Sequence, residues 1–130
     1  MRKTLLIVTG IVFTAGAALA ADLPIEISAA QISARSGSRN IFAIEDIHQR
    51  MQSAINCLVG PKGDGFDAKA PNPCAPSGNG VIPDTADAAK KARYLEVVTK
   101  LKGGIAEQDR RVAMQTALDA ADMIVDISGN

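Results

Sequence analysis

The sequence predicts an all-α protein, a small antiparallel three-helix bundle with an N-terminal arm and a long disulfide-stapled Gly/Pro-rich loop. Three observations predict this class. Apolar residues recur at helical spacing in three segments, and a two-glycine connection joins the last two of them. The only two cysteines lie at the end of the first helix and in the loop that follows it.

The first twenty residues have the pattern of a secretory signal peptide. Arg2 and Lys3 form a basic head, an apolar run follows over residues 5–18, and residues 18–20 read Ala-Leu-Ala, a small-residue cleavage site. The run is short for a membrane span, which needs about 20 apolar residues; an uncleaved anchor is the alternative. We expect residues 1–20 to be cleaved, leaving no transmembrane segment and placing the mature chain in the bacterial periplasm or outside the cell.

The composition of the mature chain narrows the class of partner. Without Arg2 and Lys3, twelve Lys/Arg remain of fourteen, against fourteen Asp/Glu, which gives a formal net charge of −2. This charge provides no electrostatic reason to expect nucleic acid or an anionic membrane as a partner. Three aromatic residues remain, too few for base-stacking or sugar-stacking platforms. We therefore expect another envelope or secreted protein as the partner, with the oligomeric state left open.

Residues 21–40 carry the weakest structural signal in the mature chain. Apolar residues alternate at its start as in a short strand, but Ile25, Ala29 and Ile32 fit one side of a short helix equally well. The segment 33–40 is rich in Ser, Gly and Arg, which is typical of a linker. We interpret residues 21–40 as an N-terminal arm or linker packed loosely on the rest.

The helical domain, residues 41–130, opens with the clearest helix. Its apolar line consists of Ile44, Ile47, Met51, Ile55 and Leu58. Polar and charged side chains cover the remaining faces, and Gly60-Pro61 ends the helix because Pro cannot continue it.

Residues 59–83 form a loop that contains five Gly and five Pro. Loops of this length tend to be functional, stapled or disordered. We expect Cys57 and Cys74 to form a disulfide in an oxidising compartment; two free thiols acting as metal ligands or a redox pair are the alternative. The staple predicts an ordered loop that presents contact residues. The candidates are Asp64, Phe66, Asp67 and Asn79, with Phe66 as an apolar anchor and the others as polar or cation-binding neighbours.

Two further helices complete the predicted bundle. The first is capped by Asp84 or Thr85 and ends at Gly103-Gly104, and the second spans residues 107–127. The short connection forces the two to lie antiparallel. The residues expected to be most buried are Ile44, Ile47, Met51, Ile55, Leu58, Leu95, Val98, Leu101, Ala117 and Ile124.

Metal binding is the second functional hypothesis. His48 and Met51 lie one turn apart and could ligate copper, although a histidine at the edge of the apolar face, bonded to the loop or another helix, is the competing interpretation. The oxygen-rich loop could hold calcium, but its spacing matches no EF-hand, and the same residue types serve turns.

An acidic stripe of three aspartates, Asp119, Asp122 and Asp126, lies near the C-terminal end of the third helix, where the helix dipole disfavours negative charge. Ion pairs with the basic residues among 90–93 of the preceding helix are the first explanation. A bound cation or a basic partner surface is the second.

No catalytic constellation accompanies these features. Serine nucleophiles lack a base, because His48 is the only imidazole and no Gly-x-Ser-x-Gly elbow occurs. The sequence therefore predicts a small secreted, non-catalytic binding or interaction module that presents the stapled loop on a helical platform, without a cofactor. The alternative is a small periplasmic metal-binding protein.

Overall fold

The computed structural model describes residues 21–130, so the predicted signal peptide lies outside the described residues. This part of the chain is all helical, which confirms the predicted class. Its helices are α1 (Leu23–Ser36), α2 (Ile44–Val59), α3 (Val81–Asp84), α4 (Ala88–Ala106) and α5 (Arg110–Gly129). The number of helices therefore differs from the three that the sequence predicts.

Helix α1 occupies the segment interpreted as an arm. Asp22 caps it, since its carboxylate accepts a hydrogen bond from the Ile25 backbone N–H at 3.3 Å, and Pro24 stands in the first turn, where its missing N–H costs nothing. Ala30 and Ala34 are fully buried, and the helix packs against α2 and α5. The N-terminal segment is thus part of the core.

Helix α2 is the centre of the molecule and packs against the other four helices. Residues 53–59 are all buried, because helices surround its C-terminal half on one side and the loop covers the other. The predicted apolar line is confirmed at Ile47, Met51, Ile55 and Leu58, which are fully buried, whereas Ile44 at the helix start is partly exposed.

Helices α4 and α5 are antiparallel, as ion pairs between opposite ends show. The start of α4 contacts the end of α5 through Arg93 and Asp126 at 2.5 Å, and a later turn of α4 contacts an earlier turn of α5 through Lys100 and Asp119 at 3.9 Å. No helix within residues 21–130 has both the length and the apolar character that crossing a membrane requires.

The buried face of α4 differs from the predicted one. Leu95 is expected in the core but is 53% exposed, so the prediction is wrong at this position. Tyr94 is buried instead, and the buried face of α4 is therefore rotated by about one residue from the predicted one. The other buried residues of this helix are Val97, Val98, Leu101 and Gly104.

The boundaries of α4 also differ from those predicted. Asp87 caps the helix rather than Asp84 or Thr85, which belong to the short α3 and its end. Gly104 lies within the helix rather than at its end, and a Cβ atom there would be 2.7 Å from the Met51 sulfur. A glycine is needed there for the close approach of α4 to α2, and the helix continues to Ala106.

Candidate functional site

The loop between α2 and α3 is tied to α2 by the predicted disulfide. Cys57 and Cys74 are bonded and both buried, and no free cysteine remains in the described chain. In the chain-entropy model, closing a loop of this length restricts the unfolded state by about 3 kcal/mol. The Cys74 sulfur lies 3.3 Å from the Glu26 carbonyl oxygen, so the staple also packs against α1.

A buried asparagine beside the staple holds the loop backbone. Asn56 is fully buried, and its Nδ2 donates to the carbonyl oxygens of Asp67 at 2.8 Å and of Ala70 and Pro71 at 3.2 Å. Its Oδ1 accepts from the Asp67 backbone N–H at 2.9 Å. One buried side chain thereby makes hydrogen bonds to several backbone groups of the loop, in keeping with the rule that buried polar groups are hydrogen-bonded. Loop shape and helix packing are consequently linked.

Two glycines close the base of the loop. Gly60 and Gly80 both have positive φ, at +72° and +116°, a region that other residues rarely adopt. A Cβ at Gly60 would overlap the Asn79 carbonyl, and one at Gly80 would lie 2.6 Å from the Gly60 nitrogen. The two backbones therefore touch, which brings the ends of the loop together.

A buried carboxyl group supports the far end of the loop. Glu26 of α1 is fully buried, and its Oε1 accepts a hydrogen bond from the Gly80 N–H at 2.8 Å. Burial raises the pKa of Glu26, and the negative charges of Asp84 and Asp22 raise it further, while the bond from Gly80 opposes the shift. Its Oε2 is buried and has no hydrogen-bond partner in the described structure.

A groove of about 360 Å³ lies between the stapled loop, α3 and α4. Its lining residues are Val59, Gly63, Asp64, Ile82, Pro83, Lys91, Leu95, Val98, Thr99 and Lys102. The aliphatic residues of this set form an apolar surface, and the half-exposed Leu95 is an apolar side chain left available for contact. We call this site the loop–α4 groove.

Lysine side chains give the loop–α4 groove its charge. Lys102 pairs with Asp64 at 3.1 Å and lies over Gly65, where a Cβ would be 2.8 Å from the lysine Cε, so this pair fastens the loop tip to α4. Lys91 has no ion-pair partner among the residues that the structure describes. With one neutralised pair and one unpaired lysine, the groove carries about one net positive charge.

The four predicted contact residues do not lie together. Asp64 lines the loop–α4 groove, and Asn79 lines a neighbouring depression and donates to Asp84 through its backbone N–H at 2.8 Å and its Nδ2 at 3.1 Å. Phe66 is half-buried against the core, so its apolar surface points largely inward. Asp67 lines a different shallow depression, which it shares with His48.

The predicted metal ligands have structural partners. The Nε2 of His48 lies 2.9 Å from the Glu107 carbonyl oxygen, at the connection between α4 and α5, and Met51 is fully buried beneath α4. Within residues 21–130 no three His, Cys, Asp or Glu side chains are grouped so that they could hold a metal ion.

The acidic stripe of α5 is neutralised by neighbouring helices. Asp126 and Asp119 pair with Arg93 and Lys100 of α4. Asp122 pairs with Arg35 of α1 at 2.6 Å. Ion pairing between helices therefore accounts for the stripe, although only Arg93 is among the predicted partners of residues 90–93, while Lys100 lies further along α4 and Arg35 on α1.

Two residues that shape this region, Glu26 and Asn56, could not be identified from the sequence, because their roles depend on tertiary contacts. Glu26 was missed because the sequence left residues 21–40 open between a strand and a short helix, although Asp22 and Pro24 form a recognisable helix start. Asn56 stands next to Cys57 but offers no pattern that distinguishes it from a surface amide. Comparisons with protein-family models, with curated proteins and with solved structures found no match to this chain.

Proposed function

We propose that this protein is a secreted or periplasmic, non-catalytic binding module whose loop–α4 groove receives a segment of a protein partner. The observation that carries the proposal is a groove with an apolar lining that is built partly by a covalently stapled loop. The disulfide is compatible with an oxidising compartment. Cleavage of residues 1–20 and export are part of the same proposal.

The construction of the loop supports a role in presentation. Ordering a backbone costs about 1–2 kcal/mol per residue, so a short turn between α2 and α3 would leave a more stable fold. The chain instead keeps residues 60–80 ordered through the staple, Asn56 and the contact between Gly60 and Gly80. Rigid elements that position a loop are a common arrangement for binding sites.

Charge and shape define the chemistry of the partner. The apolar lining at Leu95 and Ile82 fits an aliphatic or aromatic side chain, and the unpaired Lys91 fits a carboxylate beside it. A volume of about 360 Å³ admits a few side chains rather than a large cofactor. The occupant we propose is therefore an acidic segment with an apolar anchor.

Site-specific cross-linking followed by binding measurements tests the proposal. A photoreactive amino acid placed at Leu95 should link the full chain to one partner in its native envelope, and the same group at Val125 on α5 should not. Val125 is the matched control because it is 49% exposed against 53% for Leu95 and lies outside the groove.

Binding measurements with the purified partner then test whether the loop–α4 groove is its binding site. Leu95→Glu should weaken its binding by about tenfold or more, as loss of a central contact does, and Val125→Glu should leave it unchanged. Raising the salt concentration should weaken binding to the wild type. Equal affinity of both variants, or equal cross-linking at both positions, would show that the loop–α4 groove is not the binding site.

The metal-binding alternative stays a prediction and is not argued further, because within residues 21–130 no group of three His, Cys, Asp or Glu side chains favours it.

A further inference from the structure

A second cavity, of about 290 Å³, lies between α1, α2 and the wall of the stapled loop that faces away from α4. It is lined by Ser33, Ser36, Gln49, Arg50, Ser53, Pro71 and Pro73. The lining contains a guanidinium, three hydroxyls and an amide, but no carboxylate. Its chemistry therefore differs from that of the loop–α4 groove.

Arg50 has no acidic partner within the described chain, unlike Arg35 and Arg93. Arg35 and Arg93 each pair with an aspartate of α5, whereas no carboxylate of residues 21–130 lies within ion-pair distance of Arg50. A guanidinium has five N–H donors. One of them is used, from NH1 to the Ser36 hydroxyl at 3.1 Å, and Nε is buried without an acceptor in the described structure.

The guanidinium is held in place before any ligand arrives. It stacks on the Phe42 ring, with 3.9 Å between the guanidinium carbon and the ring centroid. The Ser36 hydroxyl accepts the hydrogen bond from NH1 and itself donates to the Ser33 carbonyl oxygen at 2.8 Å. A planar donor group fixed in this way loses little conformational entropy on binding an anion.

Besides Arg50, uncharged side chains with hydrogen-bond donors line the cavity. The Ser33 hydroxyl and the Gln49 side-chain amide both line it, and neither makes a hydrogen bond within the described chain. Pro71 and Pro73 form the opposite wall, where they contribute rigidity and no backbone N–H. The cavity therefore combines unused hydrogen-bond donors with the positive charge of Arg50, which no carboxylate of the described chain pairs with.

We propose that this cavity binds an oxyanion, namely the phosphate, sulfate or carboxylate group of a ligand. The Arg50 guanidinium makes the charge-assisted hydrogen bonds, in the forked geometry that suits such groups. Ser33 and Gln49 donate to the remaining oxygens. The site stands independently of the proposed protein-binding groove, because the two cavities share no lining residue.

Nuclear magnetic resonance of the intact mature chain in a buffer without oxyanions tests this site. Sodium phosphate, sulfate and acetate are titrated separately to about 50 mM, with sodium chloride matching the ionic strength, so that screening is held constant. We expect saturable shifts of the Arg50 Nε–H and Ser33 signals with at least one oxyanion and none with chloride. The preferred anion distinguishes a tetrahedral group from a carboxylate.

Two variants assign the effect to Arg50. Arg50→Lys retains the charge but loses the fork, and should weaken binding about tenfold; Arg39→Gln, at an exposed position outside the cavity, should leave it unchanged. Absence of saturable shifts with all three oxyanions in the wild type overturns the proposal, whatever the variants do. Unchanged affinity in Arg50→Lys overturns the assignment to the guanidinium.

Discussion

Replacing Asn56 by alanine should unfasten the loop from the helical core. The side chain has two N–H donors, which three loop carbonyls share, and one oxygen that accepts from the Asp67 N–H. Three independent bonds to the loop are therefore lost. At about 1 kcal/mol net for each, Asn56→Ala should lower the free energy of unfolding by about 3 kcal/mol.

Urea and thermal unfolding followed by circular dichroism measure this loss. For a domain of this size, about 3 kcal/mol corresponds to a midpoint about 10 to 15 °C lower. Asn72→Ala is the matched control, because its side chain accepts one bond, from the Cys74 N–H at 3.2 Å. That variant should lose about 1 kcal/mol or less. Equal losses for the two variants would refute the argument that Asn56 organises the loop.

Three further outcomes follow from the packing and the charges. Glu26→Gln should gain stability relative to the wild type as the pH rises above 4.5. The folded-state pKa of Glu26 is raised above this value, so the wild type loses stability as the carboxyl ionises and the amide does not; urea unfolding at several pH values checks this. Gly80→Ala should cost at least about 2 kcal/mol because its positive φ and its contact with Gly60 exclude a side chain, whereas Gly103→Ala, in open space on α4, should stabilise by about 0.5–1 kcal/mol. Thermal melts of both variants would show opposite signs. Ile55→Ala should cost about 2–5 kcal/mol and Leu95→Ala about 1 or less, since the first is fully buried and the second is half exposed; equal losses by denaturant titration would contradict the corrected face of α4.

The sequence predicts the elements whose buried residues are large and apolar. Helix α2 was predicted from its line of Ile, Met and Leu because burial and hydrophobicity coincide there. For α1 the sequence leaves a strand and a short helix equally open, since the buried residues of this helix are Glu26, Ala30 and Ala34, while its large residues Ile25 and Ile32 are exposed. A periodicity of hydrophobic side chains cannot reveal such a face.

The candidate sites were predictable only in part. Asp64 was identified from loop composition, and it does line the loop–α4 groove. Lys91, Lys102 and Leu95 come from a helix more than twenty residues away in sequence, and they reach the groove only through the packing of α4 against the loop. Arg50 has no sequence signal for a site, because its missing counter-ion is a property of the folded surroundings.

We expect residues 60–80 to form a preformed surface that is held as firmly as the helices. Native-state hydrogen exchange tests it most directly at two loop amides, those of Asp67, bonded to the Asn56 side chain, and Gly80, bonded to Glu26. Both should be protected to an extent comparable with the Ile55 amide inside α2, whereas Ala68 on the exposed loop surface should exchange rapidly. Exchange of the Asp67 and Gly80 amides at the rate of Ala68, with the helices still protected, would show that the loop is not held in a fixed shape.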